Sequence, residues 1–208
     1  MTRLHPASLL CFCASLLGSN LALAAPGELA DNSVDDPAIY GGEPVADCGF
    51  PTTVEVNGCT GTLVHPEYVI YAAHCGQNYS SVTFGQQVQG GAFTVPTEYC
   101  KYHHPVGNGN LGSGEDVAFC KLATPVTNVP IVPILMGCET DALAPGAEIV
   151  AVGFGQADNG PYGVKREVTV NVSSVDVEVV GGGNGQGVCS GDSGGPAFIR
   201  LPSEYGGD

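Results

Sequence analysis

The sequence predicts an all-β protein, and three observations carry that prediction. Short Val- and Thr-rich runs of alternating character recur between clusters of turn residues. Glycine reaches 31 residues, about twice the usual ~7% share, while only 13% of residues are charged. No stretch combines a helical period with proper caps.

Taken in order, residues 52–56, 60–64, 68–72, 81–84 and 117–122 each read as a strand. Their spacing is that of a sandwich or barrel. A strand at 148–152 follows, then a long alternation over 164–180. There Val168, Val170 and Val172 face one side, and Val175, Val177 and Val179 resume after a slip at Ser173-Ser174. One more strand fits 197–201, and the chain then runs out in turn residues. At 208 residues the chain holds one two-lobed domain or two small ones.

The amino-terminal stretch reads differently. Arg3 gives a positive start, Ala7 to Leu17 an apolar run, and Ala22-Leu23-Ala24 a small-residue cleavage site, so residues 1–24 predict a secretory signal. The apolar run is too short for a membrane anchor and is broken by Gly18, Ser19 and Asn20. No later segment approaches ~20 apolar residues. The expected location is therefore extracellular or periplasmic, with no membrane attachment. Residues 25–38 are acidic, contain proline and lack periodicity, which predicts a short disordered segment.

Charge excludes one class of partner. The net charge is −15, and from Ile39 onward five Lys or Arg face 17 Asp or Glu. Nucleic acid needs basic surface to displace counterions, so it is not expected here. The acidity reads as solubility outside the cell. Seven of the nine cysteines follow the signal, and in an exported chain they predict disulfides.

The chemistry is carried by three short motifs. Cys189-Ser190-Gly191-Asp192-Ser193-Gly194-Gly195-Pro196 places a serine in a glycine-rich turn directly after a carboxylate. Such a turn can aim the amides of Gly191 and Ser193 at one point, as an oxyanion site requires. Upstream, Ala72-Ala73-His74-Cys75 offers a base, and Asp116-Val117-Ala118 an acid whose apolar successors favour a buried carboxylate. Histidine, aspartate, serine is a known chain order of the acyl-transfer triad.

With these motifs, the chain from Ile39 to about Arg200 resembles the chymotrypsin/trypsin family of serine endopeptidases. The resemblance implies two six-stranded antiparallel β-barrels, the first over about 39–128 and an incomplete second over about 129–208. It implies Ser193 as nucleophile, His74 as base and then acid, and Asp116 as the group orienting the imidazole. Substrates would be proteins or peptides, and no cofactor is implied.

The resemblance also makes residues 25–38 a propeptide. Ile39-Tyr40-Gly41-Gly42 resembles a mature terminus whose freed Ile39 amine buries itself against Asp192. The activating protease would cut after Ala38, where many relatives carry Arg or Lys. Gly187 stands where the trypsin branch places an aspartate. With Val188 beside it, a cationic side chain would be buried unpaired, so cleavage after neutral residues is expected.

Further expectations concern the cysteines. Cys59 and Cys75 match the family bridge around the histidine loop, and Cys100 and Cys120 fall on segments that would be neighbours in the first barrel. Cys48 with Cys138 is one option for tying the amino-terminal segment to the second barrel. Cys189 is left over, because in relatives its partner lies downstream of the serine motif.

No metal is expected: no acidic residue lies between Cys75 and Glu98, so the calcium loop of some relatives is missing. Gly181-Gly182-Gly183-Asn184-Gly185 lacks the Gly-Lys-Ser/Thr ending of a phosphate loop and the repeated aspartate of a calcium repeat. His103 and His104, ahead of Pro105, read as exposed loop residues without function.

Two rival classes compete for the same residues. A non-catalytic relative serving as a binding module is disfavoured by the intact triad and favoured by the short carboxyl end. An inhibitor or disulfide scaffold gives no reason for three catalytic motifs in register. The ending predicts a truncated product or fragment, weakly active and poorly stable as written.

Overall fold

The computed structural model describes residues 39, 41–103, 114–157, 161–176, 179–183 and 185–203. The signal, the propeptide with Ala38, His104 and Val177 lie outside the described residues.

Six strands close into a barrel in the order β2-β3-β4-β7-β6-β5. They are β2 (Thr53–Val56), β3 (Cys59–His65), β4 (Tyr68–Tyr71), β5 (Ser81–Phe84), β6 (Phe93–Tyr102) and β7 (Ala118–Leu122). Alternation explains them: Val69 and Tyr71 point inward from β4, Val82 and Phe84 from β5, Ala118, Cys120 and Leu122 from β7. With Val54, Val56 and Leu63 these side chains form one apolar core. Each fully buried Val, Leu or Phe contributes about 1.5–3 kcal/mol relative to an exposed one. Closure removes free sheet edges from this half.

β6 is a strand that the sequence reading passed over. Pro96 in its interior argues against a strand, because proline gives no N–H to the ladder. The structure accommodates it beside an irregularity in the β6–β7 register between Thr97 and Tyr99. Cys100 and Cys120 sit directly opposite each other in that pairing and are joined by a disulfide.

The second sheet runs β1-β9-β8-β11, with β10 hairpinned on β9. Its strands are β1 (Glu43–Pro44), β8 (Glu148–Gly153), β9 (Arg166–Val175), β10 (Val179–Gly181) and β11 (Ala197–Phe198). It curls as a half-barrel beside the closed one. Val168, Val170 and Val172 are buried on one face, as the alternation predicts. On that face Ile149 opposes Val170, Ala151 opposes Val168, and Gly153 opposes Arg166. Ile39 buries its side chain in the same cluster.

Three expectations are corrected. The run over 164–180 is not one strand with a slip: the chain reverses, so that Val179 pairs with Val175 and Gly181 with Val172, and both Val175 and Val179 are exposed. Two short 3₁₀ helices form where none was read, Ala73–Cys75 and Gly137–Ala142. In the second, Glu139 Oε2 accepts the Met136 N–H and Thr140 Oγ1 donates to the Gly137 carbonyl, local bonds that stand in for helical ones. The third correction is the option of a Cys48–Cys138 bridge, which does not form: Cys138 is an exposed thiol.

Candidate active site

His74 lies in the single helical turn that follows β4, where the chain leaves the closed barrel. Asp116 stands two residues before β7, the strand paired with β4, so the sheet register brings the two side by side. His74 Nδ1 is 2.6 Å from Asp116 Oδ2, and the His74 backbone N–H donates to Asp116 Oδ1 at 2.7 Å. An ionised carboxylate only accepts, so Nδ1 carries the hydrogen, and in the neutral imidazole Nε2 then keeps its lone pair. The Ala73 amide adds a third link, donating to the Asp116 carbonyl at 3.3 Å. The aspartate is half-buried and Val117 is exposed, so the apolar successors do not seal it as the sequence suggested.

Cys59, at the start of β3, is joined to Cys75 by a disulfide. Their sulfurs lie within 4.8 Å of a His74 ring nitrogen, and being bonded to each other they are not available as metal ligands. The bridge fixes the turn that carries the imidazole.

The serine turn is seated between the two sheets. The Thr60 N–H donates to the Ser193 carbonyl at 3.0 Å, and Thr60 Oγ1 donates to the Gly191 carbonyl at 2.9 Å. The same hydroxyl accepts the Phe154 N–H at 3.0 Å. Thr60 therefore ties the closed barrel, the serine turn and the end of β8 together, a role that sequence gave no means of separating from the other strand threonines.

Gly191 and Gly194 have positive φ of 97° and 81°. A Cβ on Gly194 would come within 2.4 Å of the Ala72 nitrogen, and one on Gly191 within 2.9 Å of the Gly155 Cα. Only glycine meets both demands at these points. Gly194 thus packs the turn against the residues just ahead of His74. Among the described residues, the Gly191 and Ser193 amides and the Ser193 hydroxyl make no hydrogen bond, which leaves both N–H groups available to a ligand oxygen.

Asp192 points the other way, inward. Its Oδ1 accepts from the Gly155 amide at 2.7 Å and its Oδ2 from the Cys189 amide at 2.8 Å. Burial pushes its carboxyl above the usual range, while the two amides and the Arg166 charge pull it back. Ile39 remains in peptide linkage to Ala38, and its side chain is packed on the face of β8 and β9 that ends at Gly153 and Arg166.

Gly187 opens onto free space and Val188 is 65% exposed. Cys189 is a half-buried thiol. His103 is exposed, its backbone N–H bonded to the Val117 carbonyl. Neither histidine nor thiol joins the His74 cluster.

Comparison with known proteins identifies the family. The Trypsin family model matches residues 39–204. Brachyurin of Leptuca pugilator is 28% identical over 166 residues, covering 66% of this chain and 69% of its own. Anionic trypsin of Bos taurus is 26% identical, covering 93% of this chain and 82% of its own. A trypsin-like protease of Streptomyces glaucescens is 29% identical, covering 86% and 74%. The chain belongs to the trypsin family of serine endopeptidases.

Proposed function

We propose that this protein is exported and hydrolyses peptide bonds through an acyl-enzyme on Ser193. The observation that carries the reading is the two-point hold of Asp116 on His74, next to a serine turn whose amides are unengaged. With Nδ1–H given to Asp116, Nε2 takes the Ser193 proton as Oγ attacks the substrate carbonyl. The Gly191 and Ser193 amides receive the developing oxyanion. The protonated imidazole, balanced by Asp116, then returns the proton to the leaving amine. Water repeats the sequence to release the acid and restore Ser193.

A cut after Ala38 would raise the activity of the chain. The freed Ile39 amine would join Asp192, whose buried carboxylate favours a cation close by. Ile39 is already packed on the right face of the second sheet, which supports a short journey. Selectivity follows from Gly187, which offers no carboxylate to a basic side chain.

The test compares kcat/KM on matched peptides that differ only before the scissile bond, since that ratio measures discrimination. Peptides with neutral residues should be cleaved better than those with Arg or Lys, and Ser193→Ala should remove the activity. Terminal sequencing of the active form should read Ile39 first. A clear preference for Arg, or undiminished hydrolysis by Ser193→Ala, would overturn the reading.

A further inference from the structure

Gly153 ends β8 directly opposite Arg166, the first residue of β9. Residues paired in this way place their side chains on one face, with Cβ atoms about 4.5–5.5 Å apart. Gly153 has no side chain, and its place is taken: a Cβ built there would lie 2.1 Å from Asp192 Oδ1. The Asp192 carboxylate thus occupies the cross-strand position facing Arg166. Both residues are buried.

Each charge is held by its own neutral partners. Arg166 Nη1 donates to the Pro161 carbonyl at 3.2 Å and to the Val164 carbonyl at 3.3 Å. The carboxylate is held by the Gly155 and Cys189 amides. Among the described residues the pair makes no contact within ion-pair distance, so the attraction acts through the buried space between them, where salt screens little. Lys165, the neighbouring buried cation, is turned away: its Nζ donates to the Phe50 carbonyl and lies over the Phe154 ring.

We propose that Arg166 is a positioning residue that supplies the counter-charge of Asp192 in the uncut chain and so shapes the Ser193 turn before any terminus is freed. The inference rests on the serine-endopeptidase reading above and deepens it. An isolated buried carboxylate would either take up a proton or leave its seat. The opposing pulls of burial and of each charge on the other's titration fit this assignment. Cutting after Ala38 would bring a second cation to the same face, making the Ile39 amine a reinforcement of a seat that already exists.

The test uses the full chain with the bond after Ala38 protected by Ala38→Pro, alongside the cut form. The readout is the rate at which a fluorophosphonate labels Ser193. In the uncut chain, Arg166→Met should slow labelling about tenfold or more, and Arg166→Lys should recover most of the loss. In the cut chain the same Met substitution should slow labelling several times less, because the Ile39 amine faces Asp192 there. An arginine that served packing alone would slow both forms equally, and that result overturns the proposal. So would an uncut parent chain that labels only after cutting.

A second measurement is independent of chemistry. In a Ser193→Ala background, Asp192→Asn should lower the melting temperature more when Arg166 is present than in Arg166→Met. Equal losses overturn the pairing. If neither parent form labels at all, the endopeptidase reading falls, and this melting comparison alone decides the role of Arg166.

Discussion

Asp116 holds His74 at two points, taking the ring Nδ1–H on one carboxylate oxygen and the backbone N–H on the other. One side chain therefore sets the tautomer of the imidazole and the position of the turn that carries it. An amide at 116 could accept at only one of those points and would face the other donor with its own NH₂. Asp116→Asn should therefore lower kcat by about 10⁴, the magnitude characteristic of this family's triad and not calculated from this geometry. Steady-state kinetics alongside the unfolding curve check it. Full stability with little loss of kcat would show that the hold is not catalytic.

Lys165 makes a distinct prediction about pH. It is 2% exposed, and burial pushes its ammonium down to about 8 from the ordinary 10.5. Between those values the unfolded chain binds more protons than the folded one, so stability rises with pH across that window. The slope is at most about 1.4 kcal/mol per pH unit for a single proton. Below pH 8 the full cost of burying the charge is present. Lys165→Met should remove this slope and stabilise the protein at neutral pH. Urea titrations at several pH values read both effects, and an unchanged slope would contradict the assignment.

Phe84 anchors the closed barrel. It is 2% exposed and stacks on Phe93 with ring centroids 4.6 Å apart. Phe84→Ala should cost about 3–5 kcal/mol, since it removes a large buried side chain and leaves a cavity. Val180→Ala, at a site 53% exposed, should stay within about 0.5 kcal/mol. Chemical denaturation compares the two. Similar losses would mean that the barrel core is not the main source of stability.

The Cys59–Cys75 bridge closes a loop with a sequence separation of 16 and sits against His74. Replacing both cysteines with serine should cost about 3 kcal/mol. It should also lower kcat more than KM rises, because the loosened turn carries the base and not the substrate.

Much of this could be read from the sequence, for reasons visible in particular residues. Strand alternation is local, so β4, β5 and β8 emerge from periodicity. The serine, histidine and aspartate motifs stand out because their residue types are dictated by chemistry. β6 was hidden by Pro96, whose cost is absorbed by an irregular register that no local pattern announces. The turn back at Val175 to Val179 was hidden because a hairpin continues the alternation of a single strand. Thr60 bonds to Phe154, 94 positions away, and Arg166 acts electrostatically on Asp192, 26 positions away, and nothing in their neighbourhoods marks them.

The most direct measurement is covalent labelling of the active form with a fluorophosphonate, with the site located by peptide mapping. The label should fall on Ser193, and His74→Ala should abolish it while the variant still unfolds cooperatively. Label on another residue, or labelling of Ser193 that survives undiminished in His74→Ala, would contradict a serine nucleophile activated by His74.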